Sequence, residues 1–132
     1  SLFQNITTNS LYKYHEVEIG KDGTVLIITN FGLNNTLYSL SVYFREDTKQ
    51  TFKIQQRLEG FSIDDLFGRR TSVTPNGLIL VISSAPFHDY QFSLIHIFSR
   101  DKLESQFFFH HTINMPKTHL GQYLEQTQIA VS

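Results

Sequence analysis

Short apolar runs alternate with turn-forming residues along the whole chain. The runs are rich in β-branched and aromatic residues, and Gly, Pro, Asn or Asp stands between most of them, a pattern typical of β-strands. Eight runs fall into two groups of four, at about 15–20, 24–29, 39–45 and 52–58, and at about 69–74, 78–83, 92–99 and 106–113.

The second run of each group is almost continuously apolar, from Val25 to Ile28 and from Leu78 to Ile82. This pattern predicts strands that are covered on both faces. The run at 52–58 mixes apolar and polar residues instead, which predicts a strand with one solvated face.

Two turn dipeptides separate the first and second runs of the groups. They are Asp22-Gly23 and Asn76-Gly77. Asn or Asp followed by Gly is the strongest short-range signal for a β-hairpin, because a type I′ turn requires φ > 0 at both central residues. We therefore expect a tight type I′ hairpin at each position.

The turns belong to an internal repeat with an offset of 54 residues. Residues 21–29 match 75–83, and without a gap 39–47 match 93–101. Repeats of this size that contain strands and turns are typical of β-propellers, whose blades are four-stranded antiparallel sheets. The alternative is a β-sandwich of two similar hairpin pairs.

The repeat divides the chain into two blades and parts of a third. We expect an outer strand of an incomplete blade at 1–8, a first blade at 9–60, a second blade at 61–114 and the start of the next blade at 115–132. Two blades cannot close a ring, since propellers have about four to eight. The interpretation is therefore a segment of a longer chain, or copies that complete a ring together, such as three chains with six blades.

Composition supports an all-β fold and excludes several partners. The 132 residues include 12 Phe and 6 Tyr, which favour strands, and no Cys. The net charge of −1 comes from 11 basic and 12 acidic residues without a basic stripe, so we expect no nucleic-acid partner. No apolar run is long enough to span a bilayer, so we expect no membrane insertion.

The second unit resembles the FG-GAP repeat of integrin-α-type β-propellers. The resemblance rests on Phe67-Gly68, on Asn76-Gly77 and on Ala85-Pro86, with Ser84 in place of the Gly of the family's Gly-Ala-Pro. The first unit departs further, since Lys13-Tyr14 and Asn30-Phe31-Gly32 replace the two motifs. The resemblance implies structural roles for these motif residues. It also implies a protein–protein module like those of cell-surface adhesion or of virus and phage particles, and it favours an extracellular or virion location.

No metal, cofactor or catalytic group is expected from the residues. The loops lack the acidic cluster that calcium requires. Adjacent residues of a strand point to opposite faces, so His110 and His111 should not chelate one ion; His96 and the other histidines are interpreted as surface or edge residues. Asp64-Asp65 is an acidic pair without a catalytic motif, and we expect no enzyme.

The best binding candidates lie in the loop after the sixth run and at the start of the fifth. The loop holds an aromatic-rich group beside a carboxylate, and Arg69-Arg70 are the second candidate. Two sequons, at Asn5 and Asn34, would be glycosylation sites on a secreted protein. The loop residues are Phe87, His88, Asp89 and Tyr90.

Three functions follow in order of preference. The first is a non-catalytic structural or adhesive module that binds a protein partner or further propeller blades. The second is a lectin completed by oligomerisation, with a glycan as its ligand, although no Trp is present and no Arg/Glu pair recurs. The third is a fragment of a propeller enzyme.

Overall fold

The computed structural model describes residues 4–6, 12–32, 37–60, 66–84 and 92–116. Eight strands and one short 3₁₀ turn, Lys21–Gly23, make up the regular structure of these ranges. The strands are β1 (Tyr12–Gly20), β2 (Val25–Gly32), β3 (Ser39–Phe44), β4 (Lys53–Glu59), β5 (Thr71–Val73), β6 (Ile79–Ser84), β7 (Phe92–Ser99) and β8 (Phe108–Pro116).

The strands form two four-stranded antiparallel sheets. Sheet 1 has the order β1-β2-β3-β4 and sheet 2 the order β5-β6-β7-β8, so every strand pairs with its neighbours in sequence. Each predicted run overlaps one of these strands. The all-β prediction is therefore confirmed, and so is the division into two groups of four strands.

The two predicted hairpin turns differ in type. Asp22 has φ 54° and Gly23 has φ 82°, as a type I′ turn requires. At the second turn only Gly77 has a positive φ, of 76°, and its N–H donates to the Thr74 carbonyl at 2.8 Å. The type I′ prediction is wrong there, because Pro75 fixes φ near −65° at the position that type I turns favour for proline.

One hydrophobic core lies between the sheets. The side of each sheet that contributes to it is called the packed face, and the opposite side the outward face. The packed face of sheet 1 carries Val25, Ile27, Leu40, Val42 and Leu58, and that of sheet 2 carries Val73, Leu80, Ile82 and Phe98. Phe67, which precedes β5, is completely buried in the same core.

Both sheets have a β-bulge at the same place, in the pairing of the third strand with the fourth. The pairing shifts between Val42 and Tyr43 in sheet 1 and between Ile97 and Phe98 in sheet 2. Superposing the two bulges requires an offset of 55 residues, whereas the β1–β2 and β5–β6 hairpins superpose with an offset of 54. The ungapped match of 39–47 with 93–101 is therefore wrong by one residue, since the second unit has one more residue between its second and third strands.

Candidate interaction faces

Equivalent residues of the two sheets point in opposite directions relative to the shared core. Val25 and Ile27 lie on the packed face of sheet 1, but their equivalents, Ile79 and Val81, lie on the outward face of sheet 2. The same holds along the third and fourth strands, where Leu40, Val42 and Leu58 of the packed face correspond to Ile95, Ile97 and Ile113 of the outward face.

The exchange is reciprocal and keeps the apolar character of the positions. Packed residues of sheet 2 have their equivalents on the outward face of sheet 1. The pairs are Val73 with Ile19, Leu80 with Leu26, Ile82 with Ile28, and Phe98 with Tyr43. Each half of the core between the sheets is thus repeated, in chemistry and position, on the face that the other sheet turns outward.

Large apolar side chains are exposed on both outward faces. On sheet 1, Val17, Ile19 and Ile54 are each about three-fifths exposed, at 61–62%. On sheet 2, Ile79, Phe108, Ile113 and Met115 are 36–67% exposed. Contiguous apolar exposure on a sheet marks an interaction site or an aggregation hazard, so these two faces are the candidate sites of the molecule.

A glutamine joins the two sheets by binding a peptide group. Gln56 of β4 donates its Nε2 to the Phe107 carbonyl at 2.9 Å and accepts from the Phe107 N–H at 2.7 Å. Gln4 makes the same pair of bonds with the peptide groups of Phe52, at 3.0 and 2.6 Å. Because Phe52 is the equivalent of Phe107, residues 4–6 occupy the place of a fourth strand preceding sheet 1.

An arginine organises the turn after the third strand of each sheet. Each arginine donates its Nε to the carbonyl of the hairpin glycine and its Nη1 to a carbonyl five residues later, and it lies over an aromatic ring seven residues later. The partners are Gly23 (2.8 Å), Gln50 (3.3 Å) and Phe52 (4.2 Å) for Arg45, and Gly77 (2.9 Å), Ser105 (3.3 Å) and Phe107 (4.1 Å) for Arg100.

Arg100 also crosses the core between the sheets. Its Nη1 donates to Gln55 Oε1 of sheet 1 at 2.6 Å, and the residue is only 5% exposed. This burial lowers the pKa of Arg100 to about 10, with Glu104 acting in the opposite direction. The arginine remains a cation at neutral pH and fixes the turn of sheet 2 against β4 of sheet 1.

His110 and His111 occupy the positions of Gln55 and Gln56 in the second unit. Their rings are 5.1 Å apart and their Nδ1 atoms 2.9 Å apart. The expectation that these side chains point to opposite faces is wrong, because His110 is the extra residue of the β-bulge and the bulge interrupts the alternation. Both histidines are exposed.

Glu18 is the acidic residue on the packed face of β1. Its carboxylate accepts from Thr71 Oγ1 at 3.0 Å and from the Val73 N–H at 3.3 Å. Burial raises the pKa of Glu18, and these two hydrogen bonds only partly oppose the effect. The residue links the first strands of the two sheets at the cost of desolvating a carboxylate.

A buried hydrogen-bonded chain crosses sheet 2. His96 Nε2 lies 2.7 Å from Ser84 Oγ, and His96 Nδ1 lies 2.8 Å from Thr112 Oγ1. A serine beside an imidazole is the beginning of a nucleophile–base pair, but the third group here is a hydroxyl and Ser84 is only 2% exposed. The chain therefore satisfies a buried imidazole. The interpretation of His96 as a surface or edge histidine is wrong.

The remaining predicted site residues have different positions. Arg69 and Arg70 are half-buried, and the backbone of Arg70 exchanges hydrogen bonds with Ser83. Asn5 is exposed. Outside the described residues lie the loop candidates Phe87, His88, Asp89 and Tyr90, the motif residues Ala85 and Pro86, the sequon at Asn34, and Asp64-Asp65.

The motif Phe67-Gly68 has a structural place at the junction of the sheets. Phe67 is buried and its ring lies 5.8 Å from that of His96. Gly68 has φ 86°, and a Cβ there would lie 2.7 Å from Thr29 Cγ2 of sheet 1. Only glycine combines this φ with so close an approach.

Sequence reasoning missed the residues that join the sheets, although one signal was present. With the offset of 55, Arg45 and Phe52 fall on Arg100 and Phe107, and the shared Arg-x₆-Phe spacing becomes visible. The glutamine contacts give no such signal, because a side chain that binds a peptide group leaves no requirement on the partner's identity.

The described ranges contain no group of three or more His, Cys, Asp and Glu side chains that could hold a metal ion. Within the same ranges, no helix is long and apolar enough to cross a membrane. Comparison of the chain with protein-family models, curated proteins and solved structures found no match in any of the three.

Proposed function

We propose that the chain forms two adjacent blades of a β-propeller and acts as a non-catalytic protein–protein interaction module, with binding through its outward sheet faces. The observation that carries the proposal is the exchange of faces between equivalent residues. In a propeller every blade packs one face on the preceding blade and the opposite face on the next.

The alternative β-sandwich predicts a different relation. When two similar sheets pack with equivalent faces together, the contact is isologous and equivalent residues meet at the core. Here Ile27 is packed whereas its equivalent Val81 lies on the outward face, and Leu80 is packed whereas Leu26 lies outward. This head-to-tail relation favours blades over the sandwich.

Residues 4–6 give a second, independent support. Gln4 holds the Phe52 peptide as Gln56 holds the Phe107 peptide, so the segment takes the part of an outer strand of a preceding blade. The chain thus resembles a section of a ring in which each blade is fastened to the next by the same contacts. A structural or adhesive role of the cell-surface or virion type accords with the FG-GAP resemblance.

The proposal is tested by adding a blade. A variant with a second copy of residues 61–115 inserted after Met115 presents the packed face of sheet 2 to the outward face of sheet 2. Repeat proteins gain stability from each new nearest-neighbour interface. We expect a larger free energy of unfolding and a single cooperative urea transition for the extended chain.

The control is the extended chain with Ile95→Lys and Ile113→Lys in its first copy of the second unit. These substitutions remove the apolar contact that the added blade would make, and the gain in stability should disappear. An added blade that unfolds in a separate transition, with no effect of the two lysines, would show that the sheets are not propeller blades.

A further inference from the structure

We propose that a second copy of this chain docks head-to-tail, with the outward face of its sheet 1 on the outward face of sheet 2 of the first copy. This inference rests on the proposed blade organisation and adds the identity of the partner. The two outward faces are candidates for each other because each repeats one half of the core that already joins the sheets within the chain.

The outward face of sheet 2 has the chemistry of a packed face. The aliphatic residues Ile95, Ile97 and Ile113 stand where Leu40, Val42 and Leu58 contact sheet 2 within the chain. Branched aliphatic residues thus recur at all three positions, and the pleat places them on one surface.

The outward face of sheet 1 has the matching chemistry. Ile19 and Tyr43 stand where Val73 and Phe98 meet sheet 1 within the chain. Ile19 is 61% exposed, so docking would remove apolar surface from water. With a net charge of only −1, two copies repel each other little.

One element competes with docking. Residues 4–6 of the accepting copy lie where β8 of the other copy would come, since Gln4 already binds the Phe52 peptide. Docking therefore displaces this short segment. The variant Gln4→Ala weakens the segment's attachment, and we expect it to dock about tenfold more tightly than the wild type, which is the change in affinity that one to two exposed hydrogen bonds represent.

The test uses two face variants of the full chain, Ile19→Asp on sheet 1 and Ile113→Asp on sheet 2. Light scattering coupled to size exclusion gives the mass from about 5 to about 300 µM, and circular dichroism checks the fold. We expect association of the wild type, stronger association of Gln4→Ala, and monomers for each face variant alone. Thr48→Asp, in an exposed turn, adds the same charge away from both faces and should associate like the wild type.

Mixing the two face variants decides the polarity. Each retains one intact face, so an equimolar mixture should form a 1:1 dimer and nothing larger, because heterologous contacts continue only where both faces are intact. A mixture that stays monomeric, or single variants that associate as the wild type does, would refute head-to-tail docking. A wild type and a Gln4→Ala variant that both remain folded monomers would also refute it, and would leave the added-blade test of the proposed function unaffected.

Discussion

The contact between Gln56 and the Phe107 peptide allows the junction of the sheets to be tested with a single substitution. Gln56→Ala removes two neutral hydrogen bonds, each worth about 1 kcal/mol. It also leaves a peptide N–H and carbonyl without their partner at a residue that is only 3% exposed, and such unsatisfied groups cost about 1–3 kcal/mol each. Because these contributions overlap, we expect a loss of about 2–4 kcal/mol in the free energy of unfolding.

The matched control is Gln4→Ala. Gln4 makes the same two bonds with Phe52, at similar distances, but in an exposed position. Water can replace the amide there, so the loss should stay below about 1 kcal/mol.

Urea unfolding followed by circular dichroism measures both variants, with the midpoint and slope compared with those of the wild type. Equal losses for Gln56→Ala and Gln4→Ala would show that burial does not decide the strength of these contacts. A loss below about 0.5 kcal/mol for Gln56→Ala would refute the reasoning, because it would mean that the peptide of Phe107 does not depend on the glutamine.

Two further substitutions test neighbouring contacts. Gly68→Ala combines a positive φ with a Cβ 2.7 Å from Thr29 Cγ2, whereas Gly23→Ala has a similar φ and no contact closer than 3.6 Å. We expect Gly68→Ala to cost more than Gly23→Ala, which should show only the backbone cost of about 1–2 kcal/mol; equal values in urea unfolding would contradict the close approach of the sheets. Glu18→Gln should be at least as stable as the wild type at neutral pH, because burial raises the pKa of Glu18. The stabilising contribution of Glu18 is full when the carboxyl is protonated in both states and is lost as pH rises through the folded-state pKa, so the wild type should lose stability relative to Glu18→Gln between about pH 4 and pH 8; a constant difference would refute this.

The positions of the strands could be predicted from the sequence because each strand carries its own signal. Apolar runs and turn dipeptides are local, and the antiparallel hairpins follow from short connections. The first turn was predicted correctly in type, since Asp22-Gly23 has no competing residue. At Asn76-Gly77 the preceding Pro75 changed the turn, and its effect on φ was available from the sequence.

The faces could not be predicted, because the central strands are apolar on both sides. Val25–Ile28 gives no indication of which residues meet the second sheet, and all four are at most 6% exposed. The β-bulges also lack a sequence signal, although they decide where His110 and His111 point. They place Ile54 and Leu58 of one strand on opposite faces, contrary to the alternation expected for that run.

The binding of peptide groups by Gln4 and Gln56 has an evolutionary consequence. A contact that recognises an N–H and a carbonyl is indifferent to the side chain between them, and among the natural amino acids only proline would abolish it. Duplicated units can therefore diverge at this position while remaining fastened to their neighbours. This freedom accounts for two units that share their strand register and junction but retain few identical residues.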